Sequence, residues 1–244
     1  MSDPNVAYIV LVVFFATLIR STFGFGEALF AVPLLALRLP VTVAAPLAAL
    51  LSVLIAGVVV AQDWRHVQVR SALGFILSAL PGIPLGTLLL VKGNDHLVKT
   101  VLGLTIVAFS IYSLSVRSRP HLAHDHRGWL LGCGFLSGVF GGAYGMNGPP
   151  LVVYGSLRRW SPQHFRATLQ GYFLPASLAG VIGYLAIGLW SAAVTRYFLL
   201  SLPSMAVAIP IGRALNRRLT GDRFLRAIHA GLILVGLTLL YQAR

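Results

Sequence analysis

The sequence predicts an all-α polytopic membrane protein made of two inverted repeats, each a glycine-broken helix pair followed by three transmembrane helices. Three observations predict this fold: charged residues are scarce, long apolar runs contain no charge, and a glycine-broken apolar segment occurs once in each half. Of the 244 residues, 57% are hydrophobic and 10% are charged, whereas a typical soluble domain has about 25% charged residues. Side chains of this composition cannot cover a surface that faces water, so an ordinary soluble domain is excluded.

The uncharged runs are long enough to form membrane-spanning helices, since a helix needs about 20 apolar residues to cross the hydrocarbon core. Four runs of that length or more lie at residues 41–61, 71–91, 128–157 and 167–195. Shorter runs lie at residues 4–19, 100–116, 197–212 and 227–243. Their apolar residues do not alternate as in barrel strands, and backbone amides in lipid must be satisfied within the segment. These runs therefore predict helices.

An internal repeat divides the chain into two halves. Residues 23–34 match residues 140–151 around the glycine-rich break, at an offset of 117. Ile-Pro-Leu-Gly at 83–86 matches Ile-Pro-Ile-Gly at 209–212, at an offset of 126, and weak internal symmetry of this kind is typical of secondary transporters. We predict a first repeat at residues 1–116, a central cytoplasmic linker at 117–126 and a second repeat at 127–244.

Each repeat is predicted to begin with the broken pair, which we interpret as a re-entrant hairpin. In the first repeat the pair is predicted at 6–22 and 28–38, and the three helices at 41–62, 71–91 and 97–116. In the second repeat the pair is predicted at 128–140 and 149–157, and the helices at 166–188, 195–213 and 225–241. Two full spans in place of each hairpin would leave the orientation of the following helices unchanged. That alternative therefore stays open.

Lysine and arginine mark the cytoplasmic side of membrane proteins, and their distribution supports the inverted arrangement. With a re-entrant pair in each half, most of these residues fall on one side, and the opposite side receives Arg38, Lys92, Lys99, Arg196 and Arg244. This orientation places both termini in the periplasm. The formal net charge of +13 is then explained by orientation in the lipid bilayer, and no nucleic acid partner is expected.

The two glycine breaks form the candidate site for a small anionic substrate. Glycine costs about 1 kcal/mol and proline about 3 kcal/mol in a helix interior, and irregular backbone at membrane depth is tolerated only where it is buried in protein or lines a cavity. The helix after each break would offer unpaired N–H groups and a positive dipole end to an anion. The residues predicted to bind substrate are Gly24, Phe25, Gly26, Glu27, Gly142, Tyr144, Gly145, Met146, Asn147, Gly148 and Gln170. The alternative is that the glycines only allow close packing of helices.

Glu27 and Arg20 are the predicted coupling residues. A carboxylate within the membrane is costly and is therefore functional by default, yet it would compete with an anionic substrate. Protonation reconciles these two facts, and Glu27 would then carry the coupling proton. Arg20 lies two helical turns earlier and would pair with Glu27 if the helix persisted. A purely structural ion pair, or an arginine that extends to the interface, is the alternative.

The remaining polar residues give weaker signals. Either an electrostatic funnel for anions or a simple orientation signal would explain Arg158, Arg159 and Arg166. The histidines of the HLAHDH sequence at 121–126 are interpreted as part of a solvated linker rather than a zinc site. We expect no metal, no cofactor and no catalytic residues, because a membrane-embedded enzyme needs clustered polar side chains at membrane depth.

The broken segments resemble those of the sulfite exporter TauE/SafE family. The residues that carry the resemblance are FGFGEALFAVPLL (23–35), FGGAYGMNGPPLVVY (140–154) and FRATLQGYF (165–173). The resemblance implies transport of sulfur-containing anions, such as sulfite, sulfoacetate or other organosulfonates, across the bacterial inner membrane, with both glycine motifs lining the substrate path. The chain departs from the family at Glu27 and Ala28, where further glycines are common.

Together these observations predict a multi-pass secondary transporter of the bacterial inner membrane. A small sulfur-containing anion would bind at the midplane between the paired half-helix N-termini, and rocking of one repeat against the other would give alternating access. Coupling to protons would follow from Glu27. An anion-selective channel, or a carrier of a non-sulfur carboxylate, is the alternative. The sequence leaves a homodimer open.

Overall fold

The computed structural model describes residues 5–63, 69–115, 127–158, 162–216 and 222–243, and each regular element in those ranges is an α-helix. The helices of the first half are α1 (Asn5–Phe23), α2 (Glu27–Ala36), α3 (Val41–Asp63), α4 (Val69–Ala79), α5 (Gly82–Lys92) and α6 (Asp95–Ser115). Those of the second half are α7 (Arg127–Tyr144), α8 (Gly148–Leu157), α9 (Pro162–Ala186), α10 (Ala192–Asn216) and α11 (Asp222–Gln242). The all-helical prediction is confirmed, and the predicted linker at 117–126 lies outside the described residues.

Five helices in the described ranges are long and apolar enough to cross a membrane, or six if the bent pair of α4 and α5 is one span. The five are Asn5–Phe23, Val41–Ala61, Asp95–Ser115, Thr168–Ala186 and Ala192–Asn216. Large apolar side chains cover the outside of the bundle; Leu77, Ile182 and Leu234 are examples that are more than half exposed. A continuous apolar surface is stable against lipid rather than water, and the chain is therefore a multi-pass membrane protein.

The helix predicted at 71–91 is bent. α4 and α5 meet at an angle of 43°, and Leu80 and Pro81 lie between them. Proline has no backbone N–H, and its ring clashes with the carbonyl group four residues earlier. Pro81 therefore prevents one straight helix from running through this segment, which the apolar run alone does not reveal.

The first broken segment has the shape of a hairpin. The hydroxyl of Tyr8, near the start of α1, donates a hydrogen bond to the carbonyl oxygen of Leu34, near the end of α2, at 2.7 Å. The guanidinium of Arg38 lies over the Tyr8 ring, 4.4 Å from its centroid. Had α2 continued in the direction of α1, a rise of about 1.5 Å per residue would have carried these groups far apart. α2 therefore folds back along α1, which a re-entrant hairpin and two antiparallel spans would both give, so both stay predictions.

The second break starts at Gly145, four residues, or about one helical turn, later than the offset of 117 predicts. α7 remains helical through Gly142, which the sequence prediction places in the break. A Cβ atom on Gly142 would clash with the carbonyl oxygen of Ile83, so this glycine allows close contact between α7 and α5. The conformation that ends the helix is at Gly145, where φ is 66°, as it is at Gly24, where φ is 85°.

The helices pack in a pattern that is preserved when the two halves are exchanged. α1 packs on α10, and its counterpart α7 packs on α4 and α5, while α3 packs on α9 and α6 packs on α11. The repeated Ile-Pro motifs lie at equivalent contacts. A Cβ on Gly86 would clash with the carbonyl oxygen of Val139 in α7, and a Cβ on Gly212 would lie 2.6 Å from the Cβ of Ser21 in α1. This is the packing expected of an internal repeat; the inverted orientation of the halves and the repeat boundaries stay predictions.

Three buried apolar clusters follow the same pattern. One joins α1, α2, α3 and α10, and a second joins their counterparts α7, α8, α9 and α4. A third cluster lies between the halves and draws on α2, α3, α6, α7 and α11. Leu29, Phe109 and Met146 belong to this central cluster, and they position the two broken segments against each other.

Candidate functional site

One cavity lies between the two breaks. Residues 25–29 of the first break and residues 145–149 of the second line it. Single side chains from four helices complete the wall, namely Arg20, Ser52, Phe109 and Phe173. Its volume is about 20 Å³, which is room for about one water molecule. The two breaks therefore meet at a cavity that is too small for an oxyanion, and its walls would have to separate to admit one.

Arg20 and Glu27 form an ion pair in the cavity wall. Arg20 is 3% exposed and Glu27 is 1% exposed, and Nη1 of Arg20 donates to Oε2 of Glu27. The pair forms although α1 ends at Phe23, because the left-handed backbone at Gly26, with φ 96°, turns the first residue of α2 back towards Arg20. The predicted pair is present, but the turn at the break and not a continuous helix brings the two side chains together.

One edge of the Arg20 guanidinium makes no hydrogen bond to the described residues. Its Nη1 also donates to Oγ of Ser52 at 2.6 Å, and its guanidinium carbon lies 4.9 Å from the centroid of the Phe173 ring. Nε and Nη2 of Arg20, and Oε1 of Glu27, have no hydrogen-bond partner among the described residues. Nε and Nη2 form one side of a planar fork that matches two oxygens of an oxyanion. Arg20 therefore lines the cavity and carries an unpaired edge whose shape suits an anion.

A chain of buried hydrogen bonds connects the two breaks. From the Arg20–Glu27 pair it passes to Oγ of Ser52 in α3, which accepts from Oγ of Ser177 in α9 at 3.0 Å. Oγ of Ser177 in turn accepts from Nδ2 of Asn147 at 3.3 Å. The chain thus runs from the carboxylate at the first break to the carboxamide at the second, through the two helices that pack at the centre of the molecule.

A second hydrogen bond, to its backbone carbonyl, also holds Asn147 in place. The hydroxyl of Ser137 donates to the backbone carbonyl of Asn147, and Ser137 is also hydrogen bonded to the hydroxyl of Tyr172 at 2.8 Å. A Cβ on Gly141 would clash with Oδ1 of Asn147, so glycine is required there for the carboxamide to fit against α7. Oδ1 of Asn147 has no hydrogen-bond partner in the described part of the chain.

The two helix N-termini at the cavity are not equal as backbone donors. The first-turn N–H groups of a helix have no partner within it, and α2 begins at Glu27 with all of them present. α8 begins at Gly148 and continues with Pro149 and Pro150. Proline suits a first helical turn but has no N–H. The sequence prediction of an anion site formed by backbone alone overlooks these two prolines, and the donors at the cavity come mainly from α2 and Arg20.

The structure brings most of the predicted site residues to the cavity wall. Those on the wall are Arg20, Phe25, Gly26, Glu27, Gly145, Met146, Asn147 and Gly148. Those that do not line it are Gly24, Gly142, Tyr144 and Gln170.

The predicted residues that do not line the cavity hold its surroundings in place. Nε2 of Gln170 donates to the carbonyl oxygen of Gly24 at 3.1 Å, which fixes the first break to α9. The hydroxyl of Tyr144 donates to the carbonyl oxygen of Val98 at 2.9 Å, which ties the end of α7 to α6. Their side chains are buried, so the role supported by these contacts is to support the breaks.

The site also contains four residues outside the two breaks that the sequence does not predict: Ser52, Ser177, Phe109 and Phe173. Serine and phenylalanine are common in transmembrane segments, and serine there usually supports packing or bonds to its own helix. A polar residue in the middle of the charge-free run 41–61 is the one signal that points to Ser52.

Some predicted features fall outside the described residues. The HLAHDH sequence at 121–126 does, and so do the side chains of Arg159 and Arg166. Arg158 is described and follows the last residue of α8, at the end of that helix remote from the cavity. In the described ranges, no group of three His, Cys, Asp or Glu residues is arranged to hold a metal ion. The cysteine at 133 is buried and free.

Comparison with known protein families gives a match over nearly the whole chain. A family described as Sulfite exporter TauE/SafE matches residues 9–239, which is nearly the whole chain. The matched range contains both breaks, the ion pair and the hydrogen-bonded serines. No curated protein and no solved structure matches the chain.

Proposed function

Because the chain belongs to the sulfite exporter TauE/SafE family, we propose that it carries a small sulfur-containing anion across the bacterial inner membrane, with Arg20 as the principal anion contact. Membership makes the chain a membrane transporter of sulfur anions such as sulfite. The observation that carries the finer proposal is a buried arginine in the wall of the cavity between the two helix breaks, whose Nε and Nη2 make no hydrogen bond to the described residues. Sulfite, sulfoacetate and other organosulfonates are the proposed substrates.

Anion binding at Arg20 has a clear physical basis. Two oxygens of a sulfite or sulfonate group fit the Nε and Nη2 edge, and hydrogen bonds to a charged group contribute about 1.5–3 kcal/mol each. The N–H groups in the first turn of α2 add donors, and the positive end of its dipole favours negative charge. The walls must separate to admit the anion, and rocking of one half against the other supplies that opening.

Charge balance supports proton coupling through Glu27. The positive charge of Arg20 and the negative charge of Glu27 balance each other in a buried site with room for about one water molecule. An added anion leaves one net negative charge there, and an uncompensated buried charge costs several kcal/mol. A proton on Glu27 restores neutrality. The anion and a proton are therefore proposed to move together.

The two alternative functions, a carboxylate carrier and an anion channel, require different features of the site. The fork of Arg20 matches a carboxylate as well as a sulfonate, so a carboxylate carrier is tested by the same binding experiment. An anion channel requires a continuous open path, and a cavity with room for one water interrupts such a path in this conformation. The geometry therefore favours a carrier with an occluded site.

Binding to the purified protein tests the proposal. Thermal unfolding is measured with sulfite, sulfate, taurine, sulfoacetate and matched carboxylates, and a bound anion at 100 times its Kd stabilises the protein by about 2.7 kcal/mol. We expect stabilisation by sulfite or a sulfonate in the wild type. Arg20→Lys keeps the charge but lacks the fork, so we expect its affinity to fall by about tenfold or more, about 1.4 kcal/mol. Equal affinity in Arg20→Lys would remove Arg20 as the principal contact.

Transport in proteoliposomes tests the mechanism. A carrier gives saturable uptake that follows a proton gradient, whereas a channel gives ohmic currents in a planar bilayer. We expect saturable uptake. Ohmic current carried by the anion would contradict the carrier and favour the channel.

A further inference from the structure

We propose that Ser52 and Ser177 are positioning residues that couple the two breaks, so that a change at Arg20 in the first half moves Asn147 in the second. The inference rests on the proposed function, because it gives a route by which anion binding at one break reaches the other. Neither serine contacts the proposed substrate edge of Arg20. Each acts through its neighbour in the hydrogen-bonded chain.

The two hydroxyls meet at the contact between the halves. Ser52 lies near the middle of α3 and Ser177 lies in α9, the helices that occupy equivalent places in the two halves. Their oxygens are 3.0 Å apart, and both side chains are buried, with exposures of 3% and 1%. A direct bond between equivalent helices is placed to transmit motion from one half to the other.

In this series of hydrogen bonds, the donors from both breaks are directed towards Ser52. Oγ of Ser52 accepts from Nη1 of Arg20 and from Oγ of Ser177, and Oγ of Ser177 accepts from Nδ2 of Asn147. A hydroxyl oxygen accepts two hydrogen bonds, so Ser52 has its acceptor capacity filled by one donor from each half. When Arg20 shifts towards an anion, Ser52 loses or reorients one of these donors, and the bond to Ser177 must adjust with it.

Three other buried hydroxyls of the described residues make a different kind of contact, although the hydroxyls of Ser137 and Tyr172 also bond across helices, within the second half. Those of Ser78, Thr87 and Ser201 donate to carbonyl oxygens three or four residues earlier in their own helices. Such local bonds satisfy a hydroxyl within lipid without help from a neighbouring helix. Ser52 and Ser177 instead bond to each other from helices of different halves, and this contact supports a coupling role over ordinary satisfaction of a polar group.

Hydrogen exchange tests the link without a substrate. Glu27→Gln removes the charge that holds Nη1 of Arg20, and amide exchange is followed by mass spectrometry in peptides that cover residues 145–157. We expect exchange there to change by roughly two- to tenfold, the range for loss of one hydrogen bond. The response should disappear when Ser177→Ala is added to Glu27→Gln. It should persist with Ser201→Ala, a buried serine that bonds to its own helix.

The same response with and without Ser177→Ala, or no response to Glu27→Gln in any background, would overturn the coupling role. This outcome does not depend on which anion is transported, or on whether any is. An absence of coupling between the two breaks can therefore be distinguished from a failure of the proposed transport function.

Transport kinetics give a second readout. In proteoliposomes supplied with sulfite, we expect Ser177→Ala to lower kcat by about tenfold while KM stays within about twofold, since the anion contact is intact but the motion of the second break is uncoupled. Ser177→Thr keeps the hydroxyl and should restore kcat. An unchanged kcat in Ser177→Ala would overturn the link and leave the transporter standing. A wild-type protein that does not transport sulfite would count against the proposed function. The hydrogen-exchange measurement would then decide whether the serines couple the two breaks.

Discussion

Arg20 and Glu27 hold opposite charges in a part of the molecule where neither charge is stable alone. Both side chains are almost fully buried, and the described contacts of the carboxylate are to Arg20. Breaking a buried pair by removing one partner costs about 3–5 kcal/mol, whereas replacing both partners with neutral groups is often tolerated. The pair therefore constrains which substitutions the fold accepts.

Arg20→Gln is predicted to destabilise the protein by about 3–5 kcal/mol, because it leaves the Glu27 carboxylate buried without its counter-charge. The double variant Arg20→Gln with Glu27→Gln should recover most of that loss. The measurement is the midpoint of unfolding in detergent by heat or denaturant. A double variant as unstable as Arg20→Gln alone would show that the arginine matters for packing and not for charge.

Glu27→Gln is predicted to separate transport from the proton gradient. Glutamine keeps an acceptor for Arg20 but cannot exchange a proton, so the anion still binds while no proton accompanies it. Wild-type uptake of an organosulfonate should rise when the donor side is made more acidic, and uptake by the variant should not respond. The measurement is uptake at several imposed pH differences. A variant that follows the gradient as the wild type does would assign coupling to another group.

The two kinds of polar residue in this site differ in how far sequence predicts them. An acid and a base within an apolar run are rare and costly, so Glu27 and Arg20 stand out. Serine is common in membrane helices, and its hydroxyl usually bonds to its own helix. The packing of α3 on α9 brings the Oγ atoms of Ser52 and Ser177 within 3.0 Å of each other. No sequence pattern predicts this contact.

At the scale of the helices, glycine serves two distinct purposes. Gly24, Gly26 and Gly145 have positive φ and break the helix, whereas Gly86 and Gly142 are helical and let backbones approach closely. Side chains other than glycine rarely adopt the first conformation, and close crossings of membrane helices favour small residues for the second. Either role can explain a glycine in the sequence. Because the sequence does not distinguish the two roles, it predicts the second break one turn too early.

Gly142→Ala is predicted to destabilise the protein, because the added methyl group would meet the backbone of α5 at Ile83. Overpacking of this kind typically costs about 1–3 kcal/mol. Gly132→Ala is the matched control in the same helix, since a Cβ there meets no atom within 4 Å, and alanine in a helix should stabilise by up to about 1 kcal/mol. Unfolding midpoints of the two variants give the comparison. A neutral Gly142→Ala would mean that α5 and α7 separate at little cost.

Helix boundaries follow the sequence where an apolar run has clear ends. The helix predicted at 41–62 is observed as Val41–Asp63, because Pro40 and Asp63 bound the run. The bend between α4 and α5 and the hairpin of α1 and α2 depend on a proline and on paired glycines. These residues say that a helix is interrupted, but the direction of the chain after the interruption is set by packing against other helices.

At the scale of the whole molecule, the orientation of the halves is open to direct test. In a Cys133→Ser background, single cysteines are introduced by Asn94→Cys and Leu189→Cys, between helices of the first and second half, and by Ser118→Cys in the predicted cytoplasmic linker. The positive-inside rule predicts that an impermeant thiol reagent labels the first two positions in intact cells. The linker position should be labelled only after lysis. Labelling of Asn94→Cys and Leu189→Cys from opposite sides would contradict the inverted arrangement.

The duplicated fold is not chemically symmetric at its centre. Among the described residues, the buried ion pair belongs to the first half, and the corresponding helix start in the second half carries two prolines instead. In the proposed carrier, the states open to the two sides of the membrane would not mirror each other, and their free energies would differ. At zero gradient the empty protein should therefore rest preferentially facing one compartment, a directional preference that the sequence of one half imposes on the movement of both.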